Sequence, residues 1–310
     1  MEKPVSADIV IRSLLFCPAN EPRKVAKLSL SGADAGVLDL EDAVAASEKV
    51  TTRGLVQQAL LTMHGLLRCV RVNPVETGLA VQDVESAVCP QLDAIVVPKI
   101  ETIQDLRRFD RIIAQAEEHN GVRAGQVKLI ALVETASGIR VADELAGFGG
   151  RLIRLVLGSG DLGNDLALPT IRGDSTAALA YGRAKLVYDA RSAGLPPPLD
   201  GPFLNVRDSG GLSADCELSR SLGYGGRVCI HPDQVAVANR IYGPDPEEVA
   251  FARIVVASFA DAERRGSASI ALGGVFIDYP IVYKAQRIVR LADAISAREK
   301  ANAGRSPQNG

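Results

Sequence analysis

SLLFCPANEPRKVAKLSLSGADAGVLDL, residues 13–40, carries the unit from which most of the chain is built. Two short runs rich in β-forming residues, 13–17 and 36–40, flank a stretch of helical spacing at 21–31. Outward from this segment the alternation continues. Further β-rich runs fall at 68–72, 94–97, 129–133, 153–157, 202–206 and 227–230, with helix-like stretches at 47–63, 102–118, 138–147, 175–193 and 213–222. Several of these stretches open on Ser, Thr or Asp and close near Gly or Asn, as helices do. Eight βα units in about 235 residues fit an α/β fold of the (β/α)8 barrel type, which typically takes ~250 residues. A doubly wound sheet is the second choice.

The composition agrees with a soluble globular protein. Of 310 residues, 47% are apolar and 23% charged, which excludes disorder. A chain of this length buries roughly three quarters of its unfolded surface, so its core needs no staples. The net charge of −2 provides no basic field to collect nucleic acid or anionic lipid. Any anionic ligand must therefore be held by a few placed cations. The five cysteines show no CxxC and no zinc spacing, and read as reduced core residues. No apolar run approaches the ~20 residues of a membrane span. Glu2 and Asp8 argue against a transit peptide, so no membrane partner and a cytoplasmic location are expected.

The polar residues fall at the carboxyl ends of the expected strands. Asn20 follows the first; Asp39, Glu41 and Asp42 the second; Arg71 and Asn73 the third; Lys99 the fourth. Glu134 follows the fifth, Asp161 the sixth, Asp208 the seventh and His231 the eighth. In a barrel all of these share the face where such folds keep their chemistry. Any one of them could be a loop or capping residue, but the series reads as a site.

Within the series, Glu134 and Asp161 end consecutive strands, the arrangement by which two carboxylates share one hard cation such as Mg²⁺. The alternative is that each caps the next helix. Arg71 ends an otherwise apolar strand, where a buried guanidinium requires an anionic partner. Glu41 or Asp42 could supply it, and so could a substrate carboxylate or carbonyl. Lys99 could form a Schiff base, but the neighbouring carboxylates favour a protonated, ion-paired lysine. His64 and His119 sit on helix-like segments with solvated faces, while His231 with Pro232 is placed to shape a wall. No Ser-His-Asp or Cys-His arrangement is visible. GSGDLG at 158–163 matches the dinucleotide fingerprint G-x-G-x-x-G. Its context is wrong: Asp161 lies inside the turn, Pro169 follows closely and the match is mid-chain. The glycines read instead as letting the backbone approach a small ligand that Asp161 faces.

After about residue 240 the pattern changes to a long helix at 243–266, a Gly-rich loop and another helix, ending in a small, polar tail at 301–310 expected to be disordered. The expected division is a barrel domain, 1–268, and a C-terminal lid and helix, 269–310.

Together, residues 12–49, RVN (71–73), VVPKIE (96–101), VETASGI (133–139), GSGDL (158–162), GYGGRVCIHPDQV (223–235) and GGVFIDYPIVYKAQRI (273–288) resemble the citrate lyase β-subunit-like family of acyl-CoA lyases. Malyl-CoA, β-methylmalyl-CoA and citramalyl-CoA lyases belong to it. The resemblance implies a Mg²⁺-dependent (Mn²⁺ as substitute) barrel, homotrimeric or homohexameric, that breaks or forms a C–C bond between an acyl-CoA and an α-keto acid. It implies Glu134 and Asp161 as metal ligands, with Glu41 and Asp42 in the surrounding network. Arg71 becomes the cation on the reacting carbonyl and enolate oxygen, and the backbone near Gly160 meets the keto-acid carboxylate. Arg23, Lys27, Ile230 and His231 would line the coenzyme A channel. Asp278, between Gly-Gly and Pro280, would be a lid carboxylate acting on a neighbouring subunit's acyl-CoA α-carbon; the plainer reading is a helix N-cap. Two departures, Pro18-Ala19-Asn20 and Arg227 where Lys is common, leave the metal pair untouched. The alternatives are a citrate lyase β subunit working on an acyl-carrier-protein thioester, and a nonenzymatic CoA-binding barrel.

Overall fold

A computed structural model describes residues 9–169 and 176–303. Eight parallel strands close into a barrel in chain order: β1 (Ser13–Pro18), β2 (Ala35–Asp39), β3 (Leu67–Arg71), β4 (Ala94–Val97), β5 (Lys128–Val133), β6 (Leu152–Leu157), β7 (Leu199–Asp200) and β8 (Gly226–Cys229). The ring shuts where β1 pairs with β8, Leu14 opposite Val228. This is the (β/α)8 architecture that the spacing of the runs predicts.

Two buried apolar clusters divide the labour. Leu14, Val37, Cys69, Val96, Ile130 and Val156 belong to one, and alternate strand residues such as Leu15, Leu38, Val70 and Leu155 pack with the helices in the other. The period of two along each strand sends one set into the barrel and the other under the helices. Helix Ile103–His119 shows how local chemistry fixes an element: Thr102 and Asp105 form a reciprocal capping box at its start.

The seventh strand corrects the sequence reading. It is two residues long and lies before the expected run 202–206. PFLNV is apolar, but Leu204 and Val206 are exposed, and Pro202 and Leu204 line the mouth of the barrel. Three prolines, 196–198, mask the short pairing segment behind them. Asp208 is accordingly no strand-end residue; it is the N-cap of helix Ser209–Leu222, accepting from Gly211 N–H at 2.8 Å.

The chain divides into two compact units, residues 1–242 and 243–310. The boundary falls before 268 because helix Pro246–Arg264 packs against helix Tyr279–Ala303 within the second unit, through a cluster including Val255, Phe259, Ile277 and Val282. The Gly-rich loop between these helices is a hairpin, β9 (Ile270–Leu272) and β10 (Val275–Ile277). Gly273 and Gly274 turn it with φ of 57° and 79°, the two positive values of a tight type I′ turn. The helix continues to Ala303, and the rest of the expected disordered tail, 304–310, lies outside the described residues. No described helix is long and apolar enough to cross a membrane. All five cysteines are buried and free.

Candidate active site

Following the inward-facing set beyond the apolar layer leads directly to the site. Val37 is succeeded by Asp39, Cys69 by Arg71, Leu132 by Glu134, and Val156 by Gly158. Past the strand ends, side chains that would be core become polar and surround a cavity of about 460 Å³. Its walls include Phe16, Asp39, Asp42, Arg71, Glu134 and Asp161.

Arg71 is the most constrained group. Its Nε and Nη2 donate to both Asp39 oxygens, at 2.7 and 2.5 Å, and Nη1 donates to Asp42 at 3.3 Å. Nη1 also forms an ion pair with Glu41 Oε2 at 2.8 Å. Arg71 Cζ lies over the Phe16 ring, 5.1 Å from the ring centroid. Burial disfavours the charge, but the hydrogen bonds and charge of Asp39 outweigh it and raise the Arg71 pKa. Asp39 is held in turn by the N–H groups of Glu41 and Ala43. The principal partner is therefore Asp39, with Glu41 and Asp42, the partners the sequence offers, as additional contacts.

Glu134 is buried, and its Oε1 accepts the Lys99 N–H at 2.8 Å. Burial, followed by the charge of Asp161, pushes its carboxyl up to about 8. A buried carboxylate whose charged form is disfavoured by a second carboxylate beside it suits a shared cation. Asp161 reaches the cavity from the first turn of helix Ser159–Asp165. Gly158 makes room for the pair, since a Cβ there would stand 2.3 Å from Glu134 Oε2. Glu41 adds a further signal: both of its oxygens are buried without a hydrogen-bond partner. Burial pushes its carboxyl up to about 7, against the opposing charge of Arg71. Among the described residues no group of three or more His, Cys, Asp or Glu forms a closed metal cage. Two carboxylates with the remaining positions left to water and substrate is the way Mg²⁺ is usually held.

The family model described as HpcH/HpaI aldolase/citrate lyase matches residues 12–232, which hold all eight strands of the barrel. This chain belongs to that family. Among curated aldolase/citrate lyase relatives, the citrate lyase subunit beta of Leuconostoc mesenteroides subsp. cremoris is 33% identical over 285 residues, covering 91% of this chain and 93% of the relative. A (3S)-malyl-CoA thioesterase of Cereibacter sphaeroides is 33% identical over 288 residues, covering 92% and 96%. Of solved structures, CitE from Mycobacterium tuberculosis in complex with magnesium, acetoacetate and coenzyme A aligns with a TM-score of 0.71 at 27% identity, over 92% of this chain and 98% of that one. A citrate lyase from Burkholderia xenovorans shares the fold at a TM-score of 0.80 and 18% identity, over 95% and 94%.

Within this HpcH/HpaI-type barrel the other expected residues distribute unevenly. Gly160 and Ile230 line the cavity. His231 does not; its Nδ1 accepts the Asp233 N–H at 3.2 Å at the head of helix Asp233–Tyr242. Arg23 and Lys27 are exposed beyond the carboxyl end of β1. Asp278 lies in the second unit, before the long helix, where its Oδ1 accepts the Ile281 N–H at 3.4 Å. Lys99 is ion-paired as expected, its Nζ 3.4 Å from Glu41 Oε1.

Two residues of the HpcH/HpaI barrel escaped the sequence reading. Lys49 donates to the carbonyls of Leu40 and Glu41 at 2.9 and 2.7 Å and to Asn73 Oδ1 at 2.6 Å. Asp83, held by Arg53, anchors Asn73 through its backbone and side-chain N–H groups. Asn73 is thus a strut under the loop carrying Glu41, not a wall of the cavity. A helical lysine and aspartate carry no local mark of such a role; only the long-range contacts reveal it.

Proposed function

We propose that this protein is a Mg²⁺-dependent carbon–carbon lyase acting on a 3-hydroxyacyl-CoA such as malyl-, β-methylmalyl- or citramalyl-CoA. The products would be acetyl- or propionyl-CoA and glyoxylate or pyruvate, with the reverse condensation at the same site. The observation that carries this reading is the joint occupation of one cavity by the Arg71 fork and the Glu134/Asp161 pair. The magnesium, acetoacetate and coenzyme A bound by the CitE relative support it.

Glu134 and Asp161 would hold Mg²⁺, which supplies Lewis acidity toward the keto-acid oxygens when bound. Arg71 places Nε and Nη2 on Asp39 and Nη1 between Asp42 and Glu41, and can offer the second Nη2 N–H to the acyl oxygen that gains charge as the C–C bond breaks. Its pairing with Asp39 fixes the guanidinium before substrate arrives, so little reorganisation accompanies charge development. Gly160 brings backbone against the keto-acid carboxylate, and Glu41 and Asp42 order the water and ions beside it. Asp278 of a neighbouring copy would exchange the proton at the acyl α-carbon, which implies a homotrimer or homohexamer. Arg23, Lys27, Ile230 and His231 would line the coenzyme A path, and the cytoplasm is the expected compartment.

The test is an assay of purified protein with Mg²⁺ against malyl-, β-methylmalyl-, citramalyl- and citryl-CoA, with both thioester and keto-acid products quantified. Acetyl- or propionyl-CoA appearing with stoichiometric keto acid supports the lyase. Release of free coenzyme A and intact hydroxy acid would point to hydrolysis, the activity named in the Cereibacter relative. Cleavage of citryl thioester alone would favour the citrate lyase β reading. No turnover of any substrate overturns the proposal.

A further inference from the structure

Lys99 has an unusual backbone for a residue with a side chain. Immediately after Val97-Pro98 at the end of β4, it adopts φ of 51°, in the left-handed region that side chains bearing a Cβ disfavour. The conformation serves two contacts at once. Its N–H is turned onto Glu134 Oε1 at 2.8 Å, and its ammonium lies 3.4 Å from Glu41 Oε1. Glu41 is consequently held between two cations, with Arg71 Nη1 2.8 Å from its other oxygen. The carboxylate is thus held chiefly by these two cations and would follow any redistribution of charge around it.

We propose that Lys99 is a positioning residue that keeps Glu41 from becoming a third metal ligand, and so keeps the cation's remaining positions open for the substrate. Its backbone orients Glu134 for the metal while its side chain retains Glu41 against Arg71. A structure of this kind separates affinity from turnover. Removing the ammonium withdraws a positive charge from the cation site and frees a buried carboxylate to turn toward it. The metal should then bind more tightly, in a geometry with fewer places for the keto acid.

This inference rests on the proposed metal-dependent reading, and the experiment distinguishes the two. Mn²⁺ binding is measured by EPR titration on the wild-type full chain and on Lys99→Met, Lys99→Gly and Lys99→Arg, alongside turnover and melting temperature. Lys99→Met removes the ammonium with the backbone still strained, and Lys99→Gly removes it with the strain relieved. Both should lower the Mn²⁺ Kd by roughly threefold or more while turnover falls, and Lys99→Arg should restore both toward wild type. An unchanged or higher Kd in either neutral variant overturns the positioning role, as does a wild-type chain that binds no Mn²⁺. If the wild type binds Mn²⁺ but cleaves no thioester, the lyase reading fails while the comparison of Kd values still decides the role of Lys99.

Discussion

Arg71 and Asp39 face one another across β3 and β2 as a two-pronged pair, Nε to Oδ1 at 2.7 Å and Nη2 to Oδ2 at 2.5 Å. The two residues are register partners in the parallel ladder, so the sheet itself delivers them to each other. A guanidinium anchored in this way presents its remaining N–H groups to the cavity in one orientation. Arg71→Lys keeps a charge but loses the planar fork, and turnover should fall by at least about 100-fold. Wild-type turnover in Arg71→Lys would reduce the pair to a structural contact.

Gly158→Ala tests the proposed metal site without replacing either proposed ligand. The new methyl would overlap Glu134 Oε2 and Cβ, forcing the carboxylate aside. Mn²⁺ affinity should drop roughly 10- to 100-fold, and the melting temperature should fall as well, because Glu134 Cβ lies too close to its own backbone to swing clear. Glu134→Gln and Asp161→Asn should lose both metal binding and turnover, and excess EDTA should silence the wild type.

Arg227 provides a control away from the cavity. It is almost fully buried outside the barrel interior, donating to the Gly201 carbonyl at 2.8 Å and paired with Asp200 and Asp215. Arg227→Lys cannot span these partners and should cost about 2 kcal/mol of stability, measured by urea denaturation, with Mn²⁺ affinity unchanged.

Acid stability should depend on Glu117. Burial pushes its carboxyl up, but hydrogen bonds from Arg151 at 2.8 and 2.6 Å and from the Val127 and Gly125 N–H groups bring it below its ordinary value of 4.5. A lowered folded pKa contributes stability that is present above 4.5 and is lost as pH falls through the folded value. Glu117→Gln should therefore destabilise by about 3 kcal/mol near neutrality, and the gap to wild type should narrow below pH 4.5 in denaturation series.

Asp278 is tested by mixing. Asp278→Ala and Glu134→Ala proteins, each inactive, should regain part of their activity when dissociated and reassembled together if the carboxylate serves a neighbouring copy. Mixed oligomers without recovery would leave Asp278 as the cap that its contact with Ile281 N–H describes.

The barrel was legible because seven of its strands are runs of β-forming residues whose turns fall at regular intervals. β7 was not, because two residues carry no periodicity and the apolar run after them lines the mouth instead of the core. In the site, Glu134, Asp161 and Arg71 announce themselves as charges at the ends of apolar strands. Asp39 hides among three carboxylates in four residues, and only the ladder register says which of them takes the two-pronged contact with Arg71. Lys49 and Asp83 lie on helices whose surface charges all look alike in sequence, and their roles arise from contacts with residues 40, 41 and 73. The sequence reading gives only a Gly-rich loop where β9 and β10 form a hairpin, although paired glycines between apolar residues are a hairpin signal.

The clearance at Gly158 bears on how such chains are sorted by pattern. The first glycine of GSGDLG is small because a carboxylate occupies the space beside it, whereas in a dinucleotide fold the corresponding glycines admit a pyrophosphate. On the proposed reading, the same letters describe pockets for ligands of opposite sign. Spacing alone cannot separate the two cases here; the carboxylate that follows β5, Glu134, can.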